Sequence, residues 1–270
     1  MKADVLVAEI GSTTTLINAF CGIRSGEPKF IGQGQAPTSV LEGDVRIGLN
    51  GAIEDLKANL GADKIEYGEM LATSSAAGGL RMCVHGLVYD MTVKAAEAAA
   101  LGAGAIVTMA TAGKLSEYDI EDLKEAKPNL ILLAGGTDYG EKETALFNAR
   151  MIAASGVKAP VIYAGNVQNK RAVEDIFQKA GISCTVTENV YPKLDKLNIE
   201  PARKIIHQVF EEHIIKAPGM EHIRDMVTGH IMPTPGAVME AVQLAYNEIG
   251  DVVAVDIGGA TTDVHSVTGG

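Results

Sequence analysis

Apolar residues occur along this chain either in short strand-like runs or at helical intervals. The way these two patterns follow each other divides the chain into three segments. Residues 81–190 alternate short apolar runs with stretches in which apolar residues recur at helical intervals. This alternation predicts βαβ units around a parallel sheet. Residues 1–80 and 191–270 instead combine β-rich runs with separate amphipathic helices. The predicted fold class is therefore α/β, with a doubly wound parallel α/β domain, residues 81–190, inserted into a domain formed by residues 1–80 and 191–270.

The last predicted element is a hairpin that lies only a few residues before the end of the chain. The elements predicted there are strands at 5–9, 16–21, 30–35, 69–73 and near 226–231, helices at 44–60, after Pro201 and at 235–248, and a hairpin at 251–267. A lone hairpin has no sheet to pair with, and only a few residues follow this one. We therefore expect the chain to be a truncated piece of something longer.

Composition narrows the classes of function. The 270 residues include 34 acidic and 23 basic side chains, for a net charge of −11, which provides no basic stripe for a nucleic-acid partner. No uncharged apolar run approaches the about 18–20 residues of a membrane span, so no membrane association is expected. The amino terminus leads straight into a predicted strand without a signal-peptide pattern. Three scattered cysteines without a CxxC pair fit a reducing cytoplasm, the expected localisation.

One sequence pattern occurs twice, once near each end of the chain. The stretches "EIGSTTT" (9–15) and "DIGGATTD" (256–263) each place an acidic residue at the end of an apolar run, before glycine and hydroxyl residues. Glycine directly after a strand lets backbone N–H groups converge on an anion such as phosphate. An acidic residue beside it suits Mg²⁺ held through water. Either turn alone is also typical of an ordinary tight hairpin, but the acidic pair favours a clamp around a polyphosphate and its metal.

The paired turns resemble the first and second phosphate motifs of the ATPase superfamily that contains actin, sugar kinases and heat-shock chaperones. The stretch before the second turn resembles the "connect" helix of those chaperones, with Pro233 and Thr234 in matching register. Two positions depart from the pattern: Glu9 stands where Asp is usual, and Met232 stands where the chaperones carry an acidic residue. A catalytic base is therefore not implied at Met232. The superfamily's adenosine motif follows the second turn, which places the adenine-binding residues beyond Gly270.

Five stretches together closely resemble the MutL-type accessory proteins of glutamate mutase and ornithine aminomutase: "EIGSTTT", "LATSSAAGGLRM", "LLAGGTDYG", "PVIYAGN" and "VDIGGATTDVHSV". The resemblance covers essentially the whole chain, although the family continues well past residue 270. It implies an actin-like (ribonuclease H-like) ATPase domain in a chaperone-like reactivating factor for an adenosylcobalamin-dependent amino-acid mutase. ATP binding and hydrolysis in the full-length protein would drive release of damaged cobalamin, with the mutase subunits as protein partners.

The resemblance implies a role for each turn, with ATP and Mg²⁺ as cofactors. Glu9 and Asp256 would hold Mg²⁺ through water and position the attacking water, and Asp263 would be a supporting or catalytic carboxylate. The phosphate contacts would come from Gly11, Ser12, Thr13, Thr14, Gly258, Gly259, Thr261 and Thr262. A loop with Ser74, Ser75, Gly78 and Gly79 would either approach the nucleotide or serve only as a hinge before the insertion.

The insertion is similar in the order and spacing of its elements to the cobalamin-binding domains of the mutases themselves. Those domains carry an Asp-x-His-x-x-Gly signature whose histidine ligates cobalt. Here His85 is followed at once by Gly86, and no Asp lies two residues before it. We therefore expect a domain of cobalamin-binding type without its histidine ligand, which acts as a docking or competing module.

Three alternative functions stay open. An ATP-dependent activator of a 2-hydroxyacyl-CoA dehydratase has similar phosphate turns, but it needs cysteines for a bridging iron–sulfur cluster, and Cys83 and Cys184 lack a convincing setting for one. A small-molecule kinase of the same superfamily would need a substrate pocket with a base. A non-catalytic nucleotide-binding scaffold is favoured by Met232.

Overall fold

The contacts of the chain separate it into two units. The fold is seen in a computed structural model, which describes residues 1–76, 79–259 and 261–269. The first unit comprises Met1–Gly79 and Phe210–Gly270, and the second comprises Leu80–Val209. The second unit thus interrupts the first in sequence.

The later boundary between the units lies within a helix rather than near residue 190. Residues 191–209, which the sequence pattern grouped with the last segment, fall in the second unit. Their hydrogen bonds show why. The Asn198 amide donates to the Val190 carbonyl at 2.9 Å, and the Arg203 guanidinium donates to the Gly102 carbonyl at 2.9 Å.

The elements of both units follow in chain order. The strands are β1 (Lys2–Ile10), β2 (Thr14–Cys21), β3 (Lys29–Pro37), β4 (Glu66–Ser74), β5 (Arg81–Gly86), β6 (Ile106–Ala112), β7 (Leu130–Leu133), β8 (Val161–Tyr163), β9 (Cys184–Val186), β10 (Ile231–Pro233), β11 (Val252–Ile257) and β12 (Thr262–Val267). The helices are α1 (Val45–Leu60), α2 (Lys94–Gly102), α3 (Glu117–Ala126), α4 (Glu143–Ala154), α5 (Lys170–Lys179), α6 (Glu200–Ile215) and α7 (Thr234–Ile249). Across the described residues, none of these helices is long and apolar enough to cross a membrane.

The first unit is built on a mixed sheet with the strand order β10-β4-β1-β2-β3. Strands β1, β2 and β3 are antiparallel neighbours, whereas β1, β4 and β10 are parallel. Alternate residues of β1 and β2 are buried because they face the core, among them Leu6, Ile10 and Ile17. Parallel strands end at the same edge of a sheet, so the segments that follow Ile10, Ser74 and Pro233 lie along one edge.

The second unit is built on a parallel sheet with the strand order β6-β5-β7-β8-β9. Helices α2 to α5 each connect one strand to the next. The direction of winding reverses between β6 and β7, which makes the sheet doubly wound. Its core contains Leu133, Ile152, Tyr163 and Phe177, all buried. The predicted parallel α/β architecture of this segment is confirmed.

The central strand of that sheet, β5, is missing from the sequence prediction. Its residues Met82, Cys83, Val84 and His85 are fully buried. The run is short, lies close to glycines at both ends and contains a histidine and a cysteine, so its apolar character is weak in the sequence. Pairing with β6 and β7 on both sides supplies the burial that the sequence pattern does not indicate.

The strand predicted near residues 226–231 begins only at Ile231. Thr228 explains the difference, since its amide donates to the Met70 carbonyl at 2.8 Å and its hydroxyl accepts from the Met70 amide at 2.9 Å. These bonds hold the preceding residues as a loop against β4.

Helix α1 packs unusually close to β3, and the contact depends on Gly34. A Cβ at residue 34 would collide with the Ala52 carbonyl oxygen and the Leu56 amide nitrogen, both backbone atoms of α1. At Gly32, in the same strand, a Cβ would meet only side-chain atoms, Leu60 Cδ2 at 2.7 Å and Leu56 Cδ1 at 3.4 Å.

Replacing these two glycines tests the close approach of helix and strand. We expect Gly34→Ala to lower the free energy of unfolding by about 3 kcal/mol, since a backbone contact cannot move aside without shifting the helix. The matched Gly32→Ala variant should lose about 1 kcal/mol, because the Leu60 side chain can adopt another rotamer. Urea denaturation followed by circular dichroism measures both. Equal losses would contradict the proposed packing.

Candidate functional site

The first of the two repeated turns joins β1 to β2 and is fastened by backbone bonds. The Gly11 amide donates to the Thr14 carbonyl at 3.0 Å. Thr38, which follows β3, donates its amide to the Thr13 carbonyl at 3.0 Å and its hydroxyl to the Gly11 carbonyl at 2.8 Å. The side chains of Ser12, Thr13 and Thr14 stay exposed. The turn therefore presents hydroxyl groups on a fixed backbone.

The second turn joins β11 to β12. The Gly258 amide donates to the Thr261 carbonyl at 2.9 Å, and the Thr261 hydroxyl donates to Asp263 at 3.3 Å. Asp256 and Asp263 are direct partners across the two strands, which places two carboxylates on one face of the hairpin. Like charges in this position destabilise a hairpin unless something neutralises them. The exposed residues of this turn are Gly258, Gly259, Thr261 and Thr262.

The tips of the two turns are in contact. A Cβ placed on Gly259 would collide with the Thr13 hydroxyl oxygen. A side chain at position 259 would therefore require the Thr13 side chain to move. Glycine at this position lets the second turn lie directly against the Thr13 hydroxyl.

The acidic residues of the two turns also influence each other. Glu9 is half-buried on β1, and its pKa is raised above its ordinary value of 4.5, first by burial and then by the negative charge of Asp256. The structure thus brings together Glu9, Thr13, Asp256 and Gly259, which are distant in sequence. Two carboxylates and exposed hydroxyls beside glycine amides are the groups that can receive a cation together with an anion.

Met232 lies in line with Glu9 across the sheet. In the strand register Met232 pairs with Thr73, and Thr73 pairs with Glu9, so the three side chains lie on one face. Two strand spacings separate Met232 from Glu9, about 10 Å. The Thr73 hydroxyl accepts a hydrogen bond from the Thr234 hydroxyl at 3.3 Å. A methionine, whose thioether cannot accept a proton, therefore shares this face with Glu9.

The loop after β4 begins beside the first turn. The Ser75 amide donates to the Ile10 carbonyl at 3.0 Å, and the Ser74 hydroxyl donates to the same carbonyl at 3.4 Å. Gly78 lies outside the described residues. The serines are therefore used to hold the end of β1, and this use was not predicted from the sequence.

Within the part of the chain that the structure describes, no three His, Cys, Asp or Glu side chains are grouped so that they could hold a metal ion. Glu9 and Asp256 provide two carboxylates, the number that suits a magnesium ion that keeps several of its waters.

In the second unit, His85 is not placed as an accessible ligand. Its ring is fully buried, and Nδ1 lies 2.7 Å from the Thr111 hydroxyl oxygen. Burial lowers the pKa of His85 to about 4, so the imidazole is neutral. A neutral, enclosed ring offers no exposed nitrogen to a cofactor at the surface of the unit.

Comparison with known proteins assigns the chain to a family. The two repeated turns stand on a mixed α/β fold with parallel strands, and the profile of the MutL protein family matches residues 5–270. The chain belongs to the MutL protein family. Protein MutL of Clostridium tetanomorphum is 46% identical over 238 residues, which cover 86% of this chain and 52% of that protein. The chain therefore spans about half the length of this curated relative.

One solved structure was also compared with the chain. It is a nucleotide-free acetone carboxylase from work on ATP-dependent acetone carboxylation. The TM-score is 0.45 at 17% sequence identity, over 98% of this chain and 44% of that chain.

The raised pKa of Glu9 leads to a prediction about stability and pH. A carboxyl group whose pKa is higher in the folded state than in the unfolded state destabilises the fold once it ionises. The contribution of Glu9 to stability should therefore fall as the pH rises from 4.5 through its raised pKa. We expect Glu9→Gln to stabilise the protein at pH 7 by up to about 1 kcal/mol, a small gain because solvent screens this half-exposed site.

The measurement is urea denaturation of wild type and variant at several pH values between 4 and 8. The gain should shrink toward pH 4, where Glu9 is protonated in both states. Glu69→Gln, at an exposed position of the adjacent strand, serves as the matched control and should show no such pH dependence. A Glu9→Gln variant that is less stable than wild type at pH 7 would show that burial and the charge of Asp256 do not destabilise the ionised Glu9.

Proposed function

We propose that the two turns hold the phosphates of ATP with Mg²⁺, and that the protein is an ATP-dependent accessory factor that reactivates an adenosylcobalamin-dependent amino-acid mutase. The observation that carries the proposal is the contact between the turns. Gly259 lies against the Thr13 hydroxyl, and the charge of Asp256 acts on Glu9. A mutase is proposed as the partner because the chain resembles the MutL-type accessory proteins and belongs to the MutL protein family.

The phosphate-binding groups come from both sides of the contact. Backbone amides beside Gly11 and Gly258, with the hydroxyls of the neighbouring Ser and Thr residues, suit phosphate oxygens. These residues are Ser12, Thr13, Thr14, Gly259, Thr261 and Thr262. Such preorganised donors act by positioning and charge neutralisation, which are the main contributions that a protein makes to phosphoryl transfer.

Two carboxylates explain how a cation would strengthen the same contact. The pKa of Glu9 is raised first by burial and then by repulsion from Asp256. A magnesium ion held through water between them would remove this repulsion and would also offset the phosphate charge. Asp263, opposite Asp256 on the hairpin, adds a third negative group for a bound water or for the metal shell. Ligand binding would thereby fasten the β11–β12 hairpin to the β1–β2 turn.

We assign the first unit to an actin-like ATPase domain on the same grounds. Its two strand–turn–strand segments match the phosphate motifs of that superfamily in sequence, and the structure places them in contact. A hairpin that is fastened with nucleotide and released without it is a two-state element, and such an element can pass nucleotide state to a partner protein.

The first test is binding of magnesium tripolyphosphate and of Mg-ATP to this chain, measured by isothermal titration calorimetry. Tripolyphosphate tests phosphate binding by the two turns alone, because it has no adenine. The adenine-binding residues are expected beyond Gly270. We expect Asp256→Asn to weaken binding of both probes in Mg²⁺ by about tenfold or more, since it removes a charged partner of the metal. Asp251→Asn, the same chemical change at the base of the hairpin, should bind like wild type.

Equal binding by Asp256→Asn and wild type, or no binding of either probe, would sink the proposal. The accessory role is tested separately by phosphate release from ATP with and without an adenosylcobalamin-dependent mutase. Stimulation by the mutase supports the reactivating factor. Transfer of the phosphate to a small acceptor would identify a kinase instead, and a bound iron–sulfur cluster would identify a dehydratase activator.

A second candidate function, a nucleotide-binding scaffold without turnover, is favoured by Met232. If its thioether is what keeps hydrolysis slow, Met232→Glu should raise the rate of phosphate release by about tenfold or more, within the range of general-base contributions. Met232→Gln has a similar length without the charge and should leave the rate unchanged. Steady-state phosphate release measures both, and equal rates in the two variants would show that Met232 does not limit hydrolysis.

A further inference from the structure

A cavity lies at the carboxyl edge of the parallel sheet in the second unit. Its volume is about 340 Å³, and it is bordered by the segments that follow β7, β8 and β9. Doubly wound sheets bind ligands outside the carboxyl ends of their strands, typically where the strand order reverses. This cavity lies at those ends but beyond the reversal, beside β7, β8 and β9. The volume lies at the lower end of the range of about 300–1,000 Å³ that is usual for small-molecule sites.

The carboxylate of Asp138 is held at this cavity by neutral donors. One of its oxygens, Oδ1, accepts from the Val167 amide at 2.9 Å and from Asn189 Nδ2 at 3.1 Å. Asn189 is only 3% exposed, and its Nδ2 also donates to the Gly136 carbonyl at 3.0 Å. The other oxygen, Oδ2, accepts no hydrogen bond from any described residue. Asp138 is therefore oriented by the protein while one oxygen remains available.

A second carboxylate is held in the same way. Glu188 Oε2 accepts from Asn198 Nδ2 at 3.0 Å. Asn198 is itself fixed, because its backbone amide donates to the Val190 carbonyl at 2.9 Å. In the described part of the chain, nothing donates a hydrogen bond to Glu188 Oε1. Both carboxylates thus keep one unused oxygen at the cavity.

Two lysines line the cavity without neutralising these carboxylates. Lys170, half-buried, is the first residue of α5, and Lys196 lies in the segment after β9. Neither forms an ion pair with a carboxylate among the residues that the structure describes. Several other lysines do so, as Lys179 does with Asp175 at 2.6 Å. Charges of both signs therefore border one cavity and remain separate.

We propose that this cavity binds a small zwitterion with one carboxylate and one ammonium group, the chemistry of a free amino acid. The ammonium groups of Lys170 and Lys196 would donate to the ligand carboxylate, and the unused oxygens of Asp138 and Glu188 would accept from the ligand ammonium. A ligand with only negative groups would meet two carboxylates, and one with only positive groups would meet two lysines. A ligand that carries both signs satisfies both pairs.

The proposal stands apart from the nucleotide function. It uses residues of the second unit alone, and none of them belongs to the two turns. A failure of nucleotide binding would therefore leave it unaffected, and its own failure would not change the assignment of the turns.

The test is isothermal titration calorimetry of the chain with free amino acids that have neutral, acidic and basic side chains. The best binder is then compared with its N-acetyl derivative, which lacks the ammonium group, and with its carboxamide, which lacks the carboxylate. We expect each blocked derivative to bind about tenfold or more weakly, because each loses charge-assisted hydrogen bonds. Inorganic phosphate, an anion without an ammonium group, should bind no better than the blocked derivatives.

Variants locate the binding in this cavity. Lys196→Met and Glu188→Gln should each weaken the best binder by about tenfold. Lys124→Met and Glu121→Gln make the same chemical changes at exposed positions of α3 that do not line the cavity, and they should bind like wild type. Thermal denaturation checks that all four variants are folded. Binding of no amino acid in the panel, equal binding of a blocked derivative or phosphate, or equal binding by all four variants would overturn the proposal.

Discussion

The contact between Gly259 and the Thr13 hydroxyl is the constraint on which the candidate phosphate site depends. Each turn is fastened by its own backbone bonds, from Gly11 to Thr14 and from Gly258 to Thr261. Neither could surround a ligand alone. Where the tips meet, Gly259 lies directly against the Thr13 hydroxyl, and the charge of Asp256 acts on Glu9 behind the tips. The candidate site thus depends on both turns together.

The strand register explains why side chains of the candidate site lie together at one edge of the first sheet. Strands β1, β4 and β10 are parallel, so their carboxyl ends deliver Glu9, Thr73 and Met232 side by side. The same register makes Met232 informative, since it shares a face with Glu9 and carries no group that can accept a proton. If nucleotide is bound here, Met232 itself supplies no catalytic carboxylate.

The α/β class, most elements and the pairing of the two turns could be predicted from the sequence, because they rest on local patterns. The burial of β5 could not be predicted, because it depends on pairing with β6 and β7, whose residues are distant from β5 in sequence. The start of β10 was misplaced because Thr228 bonds to Met70, a contact between residues remote in sequence. Roles for Asp138 and Glu188 were not predicted, because the amides that orient them, from Asn189 and Asn198, lie 51 and 10 residues away along the chain.

In both candidate sites, charged side chains lie without a neutralising partner in the protein. Such unpaired charges are typical of sites that bind a ligand. In the first unit the pKa of Glu9 is raised first by burial and then by the like charge of Asp256, a setting that favours a cation together with its anion. In the second unit charges of both signs line the cavity and neutral amides orient its two carboxylates, which favours a ligand with two charges of its own. The sign pattern of the unpaired groups therefore distinguishes the two ligand classes before either ligand is known.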